Sequence, residues 1–428
     1  MNAGPDTAGL ARNEAVLIAP PAARSERLLS VDLLRGTVMV IMALDHTRDY
    51  FTYVRFQPED VLHATLALFF TRWITHFCAP VFFFLAGTGA FLASRKKSPK
   101  ELSGFLVKRG LFLVVMEQTV ITFCWTFVPL FPGVIALVIW ALGWSMVFLG
   151  ALVRWLPVRA IAVIGLVIIA GHNLLDSVQP AQFGRFALLW QFLHVQSFHF
   201  LTQFHGVPII ALVLYPLVPW IGVMATGYAF GAVLQKSPAE RRRWIFSLGA
   251  ACIVLFVLLR AGHLYGNPPA TPNSSGPSSN GDFHVQATLS QSVIAFLNVQ
   301  KYPPSLQYLL MTLGPALVLL AYFERFTQQS LRRSLTGAIV IYGRVPMFYY
   351  ILHILLIHVM SLVVALAFHQ PAKWLIRGFF VNQTPSGYGH GLPFIYLIWL
   401  LAVAILYLPC KWFSELKARR KDWLLSYI

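Results

Sequence analysis

The chain has 428 residues, of which 57% are hydrophobic and only 11% are charged, and its mean hydropathy is +0.66. Water-soluble globular domains carry roughly 25% charged residues, so this composition excludes that class of protein. It predicts a protein that crosses a membrane several times.

The formal net charge of +17 comes from 33 Lys and Arg residues against 16 Asp and Glu residues. Most of the basic residues lie in every second loop between apolar segments, which is the pattern of cytoplasmic loops in membrane proteins. We therefore expect this charge to meet membrane lipid and not nucleic acid, in a multi-pass protein of the cell inner (plasma) membrane with both termini in the cytoplasm. The alternate, exoplasmic loops hold only Arg55, Arg185, Lys301, Lys373 and Arg377.

Ten apolar runs are each long enough to cross roughly 30 Å of hydrocarbon as a helix. The runs are continuous and lack the period-2 alternation of membrane strands, so they predict an all-α, polytopic helical bundle of 10 to 11 transmembrane helices. The long second run is expected to bend at Pro80 or to begin with an interfacial segment. The sequence also allows an eleventh helix, at the membrane interface, near 186–200. The ten predicted spans are 31–51, 64–93, 108–128, 133–153, 159–176, 207–234, 244–262, 305–323, 337–366 and 393–410.

The remaining segments define the predicted domains. Residues 1–26 are expected to form a disordered cytoplasmic tail, 27–412 the membrane domain and 413–428 a basic cytoplasmic tail. Within the membrane domain, 263–304 contains the stretch GNPPATPNSSGPSSNGD. Its Pro, Gly, Ser and Asn content predicts a flexible exoplasmic loop.

The first predicted span carries an unusual number of ionisable residues. Asp32 and Arg35 lie one turn apart near its cytoplasmic end, where they form either a structural ion pair or part of a site. Asp45, His46 and Asp49 fall in its outer turns, where a carboxylate can orient the imidazole. A histidine beside a carboxylate is a plausible general base, and a satisfied helix end is the alternative.

Other spans add charged or titratable groups, which are costly in hydrocarbon and therefore candidates for function. Glu117 lies midway along the third span and needs either a proton or a cation, for which Arg72 and Arg48 are candidates. In the ninth span Arg344 lies near the cytoplasmic end, and Tyr349 precedes His353 by one helical turn; His358 follows in the same span. Packed helices with polar hydrogen bonds are the alternative interpretation.

The histidines are distributed unevenly. All thirteen are predicted in the membrane or in exoplasmic loops, which favours acid–base chemistry on the exoplasmic side. Neither the group 194, 199 and 205 nor the pair 353 and 358 has i,i+4 spacing, and the sequence contains no HExxH motif, so no metal is expected. The histidines are His46, His63, His76, His172, His194, His199, His205, His263, His284, His353, His358, His369 and His390.

Five segments in order resemble bacterial membrane proteins with the heparan-alpha-glucosaminide N-acetyltransferase catalytic domain. The resemblance covers about Arg27 to Trp412. The segments are RLLSVDLLRGTVMVIMALDH, APVFFFLAGTGAFLASRK, YPLVPWIGVMATGYAFG, NVQKYPPSLQYLLMTLGP and YGRVPMFYYILHILLIH.

This resemblance implies a transmembrane acyltransferase that passes the acetyl group of cytoplasmic acetyl-CoA to an exoplasmic sugar or glycan. An active-site asparagine of the family falls on Asp45. The family's catalytic histidine has no aligned counterpart, since His46 precedes the expected place and His63 follows it. His76 stands where the characterised relative has an aspartate.

The reaction needs a base for the acceptor's proton and an electrophile for the developing oxyanion. We assign the base to His46, oriented by Asp45 or Asp49, with His76 and Glu117 as further catalytic candidates. Substrate binding is assigned to Arg72, His353, His358 and Tyr349. The donor's phosphates are assigned to the predicted cytoplasmic end of the bundle, at Asp32, Arg35, Lys108, Arg109 and Arg344.

A proton-coupled permease for a small organic solute or glycan precursor is the second hypothesis, because carriers also bury Glu, Asp and His near the midplane. A structural or sensory membrane protein is the third. The sequence does not determine the oligomeric state, and a homodimer is compatible with it.

Overall fold

The computed structural model describes residues 28–129, 131, 133–204, 207–268, 283–327, 335–376, 379–380, 384–420, 422 and 425. The predicted N-terminal tail and the centre of the Pro/Gly/Ser/Asn-rich loop lie outside these ranges. Within them the chain is mostly helical. The helices are α1 (Leu29–Phe51), α2 (Leu66–Trp73), α3 (Cys78–Ser94), α4 (Pro99–Met116), α5 (Thr122–Thr126), α6 (Val138–Trp155), α7 (Val158–Gly171), α8 (Ala187–His194), α9 (Leu217–Phe230), α10 (Pro238–Ala261), α11 (Leu289–Leu297), α12 (Leu306–Phe323), α13 (Leu335–Arg344), α14 (Pro346–Ala367) and α15 (Leu392–Arg419).

Among the described residues, eight helical segments are long and apolar enough to cross a membrane. They correspond to eight of the ten predicted spans, so the prediction of a polytopic helical bundle is confirmed. The other two predicted spans are the charged helix α1 and the α4–α5 segment. Helix α1 packs against α13, α14 and α15, and most of its residues are buried. Its ionisable side chains therefore face protein and cavities.

Helix α1 and helix α13 approach each other closely because glycines face the partner backbone. A Cβ atom on Gly36 would lie 1.9 Å from the carbonyl oxygen of Ile339, and one on Gly343 would lie 1.9 Å from that of Asp32. Any larger side chain would force the two helices apart. This contact holds the start of α1 beside Arg344.

Three predicted spans are interrupted. The second changes to a 3₁₀ helix over Ile74–Phe77, before Pro80, which lies inside α3. The third contains a π-helical turn over Glu117–Ile121. The ninth breaks at Val345, whose φ and ψ of −129° and 51° are not helical, because the ring of the following proline disfavours the α conformation in the preceding residue.

A three-stranded sheet was not predicted. Strands β1 (Val134–Ala136) and β3 (Val207–Val213) pair in parallel, and β2 (Ser197–Phe204) pairs antiparallel with β3. The prediction that a single helix spans 207–234 was therefore wrong in its first part, where α9 follows the strand. The interfacial helix expected near 186–200 is α8 followed by β2. Short apolar runs rich in Val, Ile and Phe fit either structure, and only pairing with a neighbour decides.

Two predicted boundaries also differ. The described end of the predicted flexible loop is folded, since it contains α11 and the buried residues Asn298 and Lys301. Helix α15 continues to Arg419, so the predicted C-terminal tail begins as part of the last helix.

Candidate active site

Two cavities lie one after the other along the length of α1. The first, the basic cavity, has a volume of about 320 Å³ and is lined mainly by apolar residues together with four cations from different parts of the chain. The second, the His46 cavity, has a volume of about 530 Å³ and is lined by the polar outer turns of α1. The cations of the basic cavity are Arg35, Arg109, Arg344 and Lys417.

The two cavities share part of one wall. Val138, the first residue of α6, and Tyr350 in α14 line both. The parallel strands β1 and β3 end beside the His46 cavity, and the residues that directly follow them, Leu137 and Leu214, line it. The unpredicted sheet therefore positions one side of the junction between the cavities.

A histidine pair lies at the His46 cavity. The Nδ1 atom of His46 is 2.7 Å from Nε2 of His353, and the rings stack with centroids 4.9 Å apart. The Nδ1 atom of His353 is 3.0 Å from the carbonyl oxygen of Tyr349. A carbonyl only accepts, so His353 Nδ1 carries a proton and, in the neutral ring, Nε2 accepts from His46 Nδ1–H. Neutral His46 is thereby left with an unprotonated Nε2, as a general base requires.

Asp45 lies beside this pair and is held by two arginines. Both oxygens of its carboxylate lie 2.8 Å from Arg72 Nη1, and Oδ1 also lies 2.9 Å from Arg48 Nη2. Arg72 in turn donates from Nε to Glu59 at 2.9 Å. Asp45 is thus part of a buried ion network. The structure does not show it orienting His46 by a hydrogen bond.

Arg48 adds a group that the sequence assignments omitted. Its Nη2 atom also donates to Asp49, while Nη1 is buried and has no hydrogen-bond partner among the described residues. Arg48 lines the His46 cavity, as Asp49 does. A buried guanidinium with an uncommitted donor is suited to a developing negative charge. Because Arg48 lies two residues after His46 in the same helix, its position next to the predicted base could have identified it.

His76 and Glu59 lie behind this network. The Nε2 atom of His76 is 3.5 Å from Glu59 Oε1, and both side chains are buried. Glu59 lies in the loop after α1. Burial by itself would raise its pKa, but Arg72 and His76 outweigh burial and hold the pKa of Glu59 well below its usual value. His76 was predicted to take part in catalysis. It lines neither cavity, so the structure does not bring its side chain into contact with either of them.

Lys301 is a second residue that the site assignments omitted. It is buried in the segment before α12, with its ammonium group 5.1 Å from the ring centroid of Tyr302, which lines the His46 cavity. The only available signal was its presence as an isolated lysine in a loop predicted to be exoplasmic.

Glu117 has a different environment from the one expected. Its Oε2 atom accepts the backbone N–H groups of Ile139 and Trp140, each at 3.0 Å, at the N-terminus of α6. No ion pair with Arg72 or Arg48 is present in the described part of the chain. The partial positive charge of the helix N-terminus takes the place of the predicted cation. The sequence could not show this because Glu117 and α6 meet only in the folded bundle.

The predicted substrate-binding residues separate into two groups. Arg72 lines the His46 cavity, whereas His353, His358 and Tyr349 are fully buried behind it. The two ring nitrogens of His358 lie 2.8 Å and 3.1 Å from the carbonyl oxygens of Cys124 and Leu375, which ties the residue to packing. The ring of Tyr349 stacks on His353 with centroids 5.3 Å apart.

The predicted donor-binding residues separate in the same way. Arg35, Arg109 and Arg344 line the basic cavity, and Lys417 joins them from the last helix. Lys108 is exposed outside the cavity. Asp32 is buried and bonds Arg35 at 3.3 Å, so it positions a lining cation.

One comparison with known proteins identifies the family of the chain. The family model for "Heparan-alpha-glucosaminide N-acetyltransferase, catalytic" matches residues 27–263, which is more than half of the chain. The matched range includes His46 and Arg109, whereas His353, Arg344 and Lys417 lie beyond it. A search of curated proteins finds no match. The chain therefore belongs to the family of the heparan-alpha-glucosaminide N-acetyltransferase catalytic domain, a family of membrane acetyltransferases.

Proposed function

We propose that this protein transfers an acetyl group from cytoplasmic acetyl-CoA to an amine or hydroxyl of an exoplasmic sugar or glycan, across the inner membrane. The observation that supports the proposal most strongly is the wall of Val138 and Tyr350, shared by the basic cavity and the His46 cavity. A donor and an acceptor that enter from opposite faces can meet only at such a junction.

The basic cavity suits the donor. Its four cations fit phosphate groups, because guanidinium and ammonium groups form strong charge-assisted hydrogen bonds with phosphate. Its apolar remainder, which includes Met39 and Phe82, suits the thin pantetheine arm. In this arrangement the thioester carbon reaches the shared wall. The start of α1 and the end of α15 both border this cavity, which agrees with cytoplasmic termini.

The His46 cavity suits the acceptor and the chemistry. His46 Nε2 takes the proton from the attacking amine or hydroxyl as the new bond to the acetyl carbon forms, and His353 holds the His46 ring in the required tautomer. Arg48 Nη1 stabilises the oxyanion. The carbon–sulfur bond then breaks, and the proton passes from His46 to the CoA thiolate, so that CoA leaves as a thiol.

The direct test is a transfer assay. Purified protein in nanodiscs receives radiolabelled acetyl-CoA and a panel of amino sugars and glycans, and labelled product and free CoA are both measured. The proposal expects the two in equal amounts with at least one acceptor. CoA binding without transfer to any acceptor would contradict it.

The permease hypothesis makes the opposite prediction. Proteoliposomes that accumulate a sugar or small organic solute under a proton gradient, without added acetyl-CoA, would favour the carrier. Membership in an acetyltransferase family favours the enzyme.

A further inference from the structure

A buried histidine outside both cavities has no hydrogen-bond partner in the described part of the chain. His172, in the 3₁₀ helix His172–Leu175 after α7, is 2% exposed, and neither ring nitrogen has a hydrogen-bond partner among the described residues. The carbonyl of Pro304 approaches the ring without meeting hydrogen-bond geometry. A buried polar group without a partner is costly, so the ring is suited to a ligand.

Two further metal-ligating side chains lie beside His172. His194, at the end of α8, is 1% exposed, and its Nε2 atom lies 2.9 Å from Asp176 Oδ1. One ligand atom from each of His172, Asp176 and His194 lies within 4.8 Å of the other two. Within the described ranges Asp176 forms no ion pair with Lys or Arg, so its charge is not balanced by a fixed cation.

We propose that His172, Asp176 and His194 bind a divalent transition metal ion of the zinc type. Two imidazole nitrogens and one carboxylate oxygen form a donor set typical of Zn²⁺ sites, and three protein ligands leave one position for water. With metal–ligand distances of about 2.0–2.2 Å, tetrahedral ligand atoms lie roughly 3.3 Å apart, so modest side-chain rotations complete the site. His194 presents Nε2 to the ion once its proton resides on Nδ1.

The surroundings provide the outer contacts that metal ligands need. The side-chain amide of Asn173 donates to Asp176 Oδ2 at 2.8 Å, and its oxygen accepts the backbone N–H of Leu306 at 2.9 Å. The ring of Trp190 lies 5.3 Å from that of His194. The ion would therefore join the end of α7, helix α8 and the start of α12.

This site is separate from the proposed acetyl transfer. None of its residues lines the basic cavity or the His46 cavity. The sequence did not predict this site. His172 and Asp176 have i,i+4 spacing, but His194 is distant from them in the chain, and the three residues match no recognised metal-binding motif.

The test uses the full chain, purified in detergent with a tag that does not bind metal. The protein is stripped with EDTA, dialysed against micromolar ZnCl₂ and then against buffer, and its zinc content is measured by mass spectrometry. We expect about one zinc ion per chain in the wild type and less than about a tenth of that in H172Q and D176N. The matched control is H199Q, since His199 bonds Gln191 nearby but lies outside the cluster.

A spectroscopic measurement supports the assignment of ligands. Loading with CoCl₂ should give the visible d–d absorption of a tetrahedral site in the wild type and in H199Q, and lose it in H172Q and D176N. Size-exclusion elution matching the wild type establishes that each variant is folded, and D176N serves where H172Q fails. Wild-type protein that retains no zinc, or zinc content that is equal in the wild type and in folded H172Q and D176N, would overturn the proposal.

Discussion

His46 and His353 join two helices through one hydrogen bond, with their ring nitrogens 2.7 Å apart across 307 sequence positions. The backbone carbonyl of Tyr349 determines the direction of that bond, because it accepts the only proton on the neutral His353 ring. The unprotonated Nε2 that the proposed general base needs is thus present before any substrate binds. The Asp45 carboxylate beside it is occupied by arginines.

The first prediction concerns this pair. His46→Ala should lower the rate of acetyl transfer by about 10²–10⁴-fold, the usual contribution of a general base, while acetyl-CoA binding is unchanged. His353→Gln should cost less and shift the pH–rate profile, because His46 loses its orienting partner. Initial rates and calorimetric binding test both effects. His63→Ala is the matched control, since His63 is exposed and bonds only Asp60 in the described structure. A His63→Ala loss as large as that of His46→Ala would contradict the assignment.

The second prediction compares two neighbouring cations. Arg109 lines the basic cavity and Lys108 is exposed. Arg109→Ala should raise the KM for acetyl-CoA by roughly 10–100-fold, corresponding to about 1.5–3 kcal/mol for a hydrogen bond to a charged group, with little change in the KM for the acceptor. Lys108→Ala should leave both constants unchanged. Equal effects of the two substitutions would show that the cavity does not hold the donor.

The third prediction concerns the stability of the Asp45 network. Arg72→Ala leaves the carboxylates of Asp45 and Glu59 buried without their shared partner, and breaking a buried pair costs about 3–5 kcal/mol. Thermal unfolding in detergent should show a large fall in Tm. Arg95→Ala, at an exposed position, should have almost no effect. A wild-type Tm for Arg72→Ala would mean that water reaches the network and screens it.

The fourth prediction is a pH dependence. Arg72 and His76 hold the folded-state pKa of Glu59 below its usual value despite burial. The stabilisation is therefore fully present above the unfolded-state pKa of about 4.3, and it is lost as the pH falls below that value toward the folded-state pKa. The Tm difference between wild type and Glu59→Gln should be largest near neutral pH and shrink toward acid. A difference that stays constant as the pH falls from about 5 to about 2 would contradict this origin.

The fifth prediction separates two roles of Glu117. If the carboxylate serves as the cap of α6, Glu117→Gln keeps one acceptor oxygen and should retain most of the transfer rate. Glu117→Ala removes both oxygens and should lower the free energy of unfolding by about 0.5–2 kcal/mol, the usual cost of a lost cap. Urea or thermal unfolding measures the second effect. A folded Glu117→Gln protein without activity would instead support the catalytic role suggested by the sequence.

Periodic and compositional signals were sufficient for the bundle. Long apolar runs predicted the eight spanning segments because hydrocarbon thickness determines their length. The sheet was missed because β3 is an apolar run whose conformation depends on pairing, and its partner β2 mixes polar and apolar residues. The break at Val345 could have been predicted from Pro346.

The site was predictable in its components but not in its contacts. His46 and Arg109 stood out as charged or titratable groups in apolar surroundings. The pairing of His46 with His353, the cap at Glu117 and the buried Lys301 depend on residues distant in sequence, and no local pattern encodes such meetings.

The shared wall of Val138 and Tyr350 also bears on the energy supply of the cell. An inner membrane stores its proton-motive force as a voltage, and a water-filled path through one protein would discharge it. If the protein carries out the proposed transfer, side chains at this boundary have to admit an acetyl group and still interrupt any continuous chain of water molecules. Tyr350, which lines both cavities, would then border the meeting point of the two substrates and also limit the leakage of protons across the membrane.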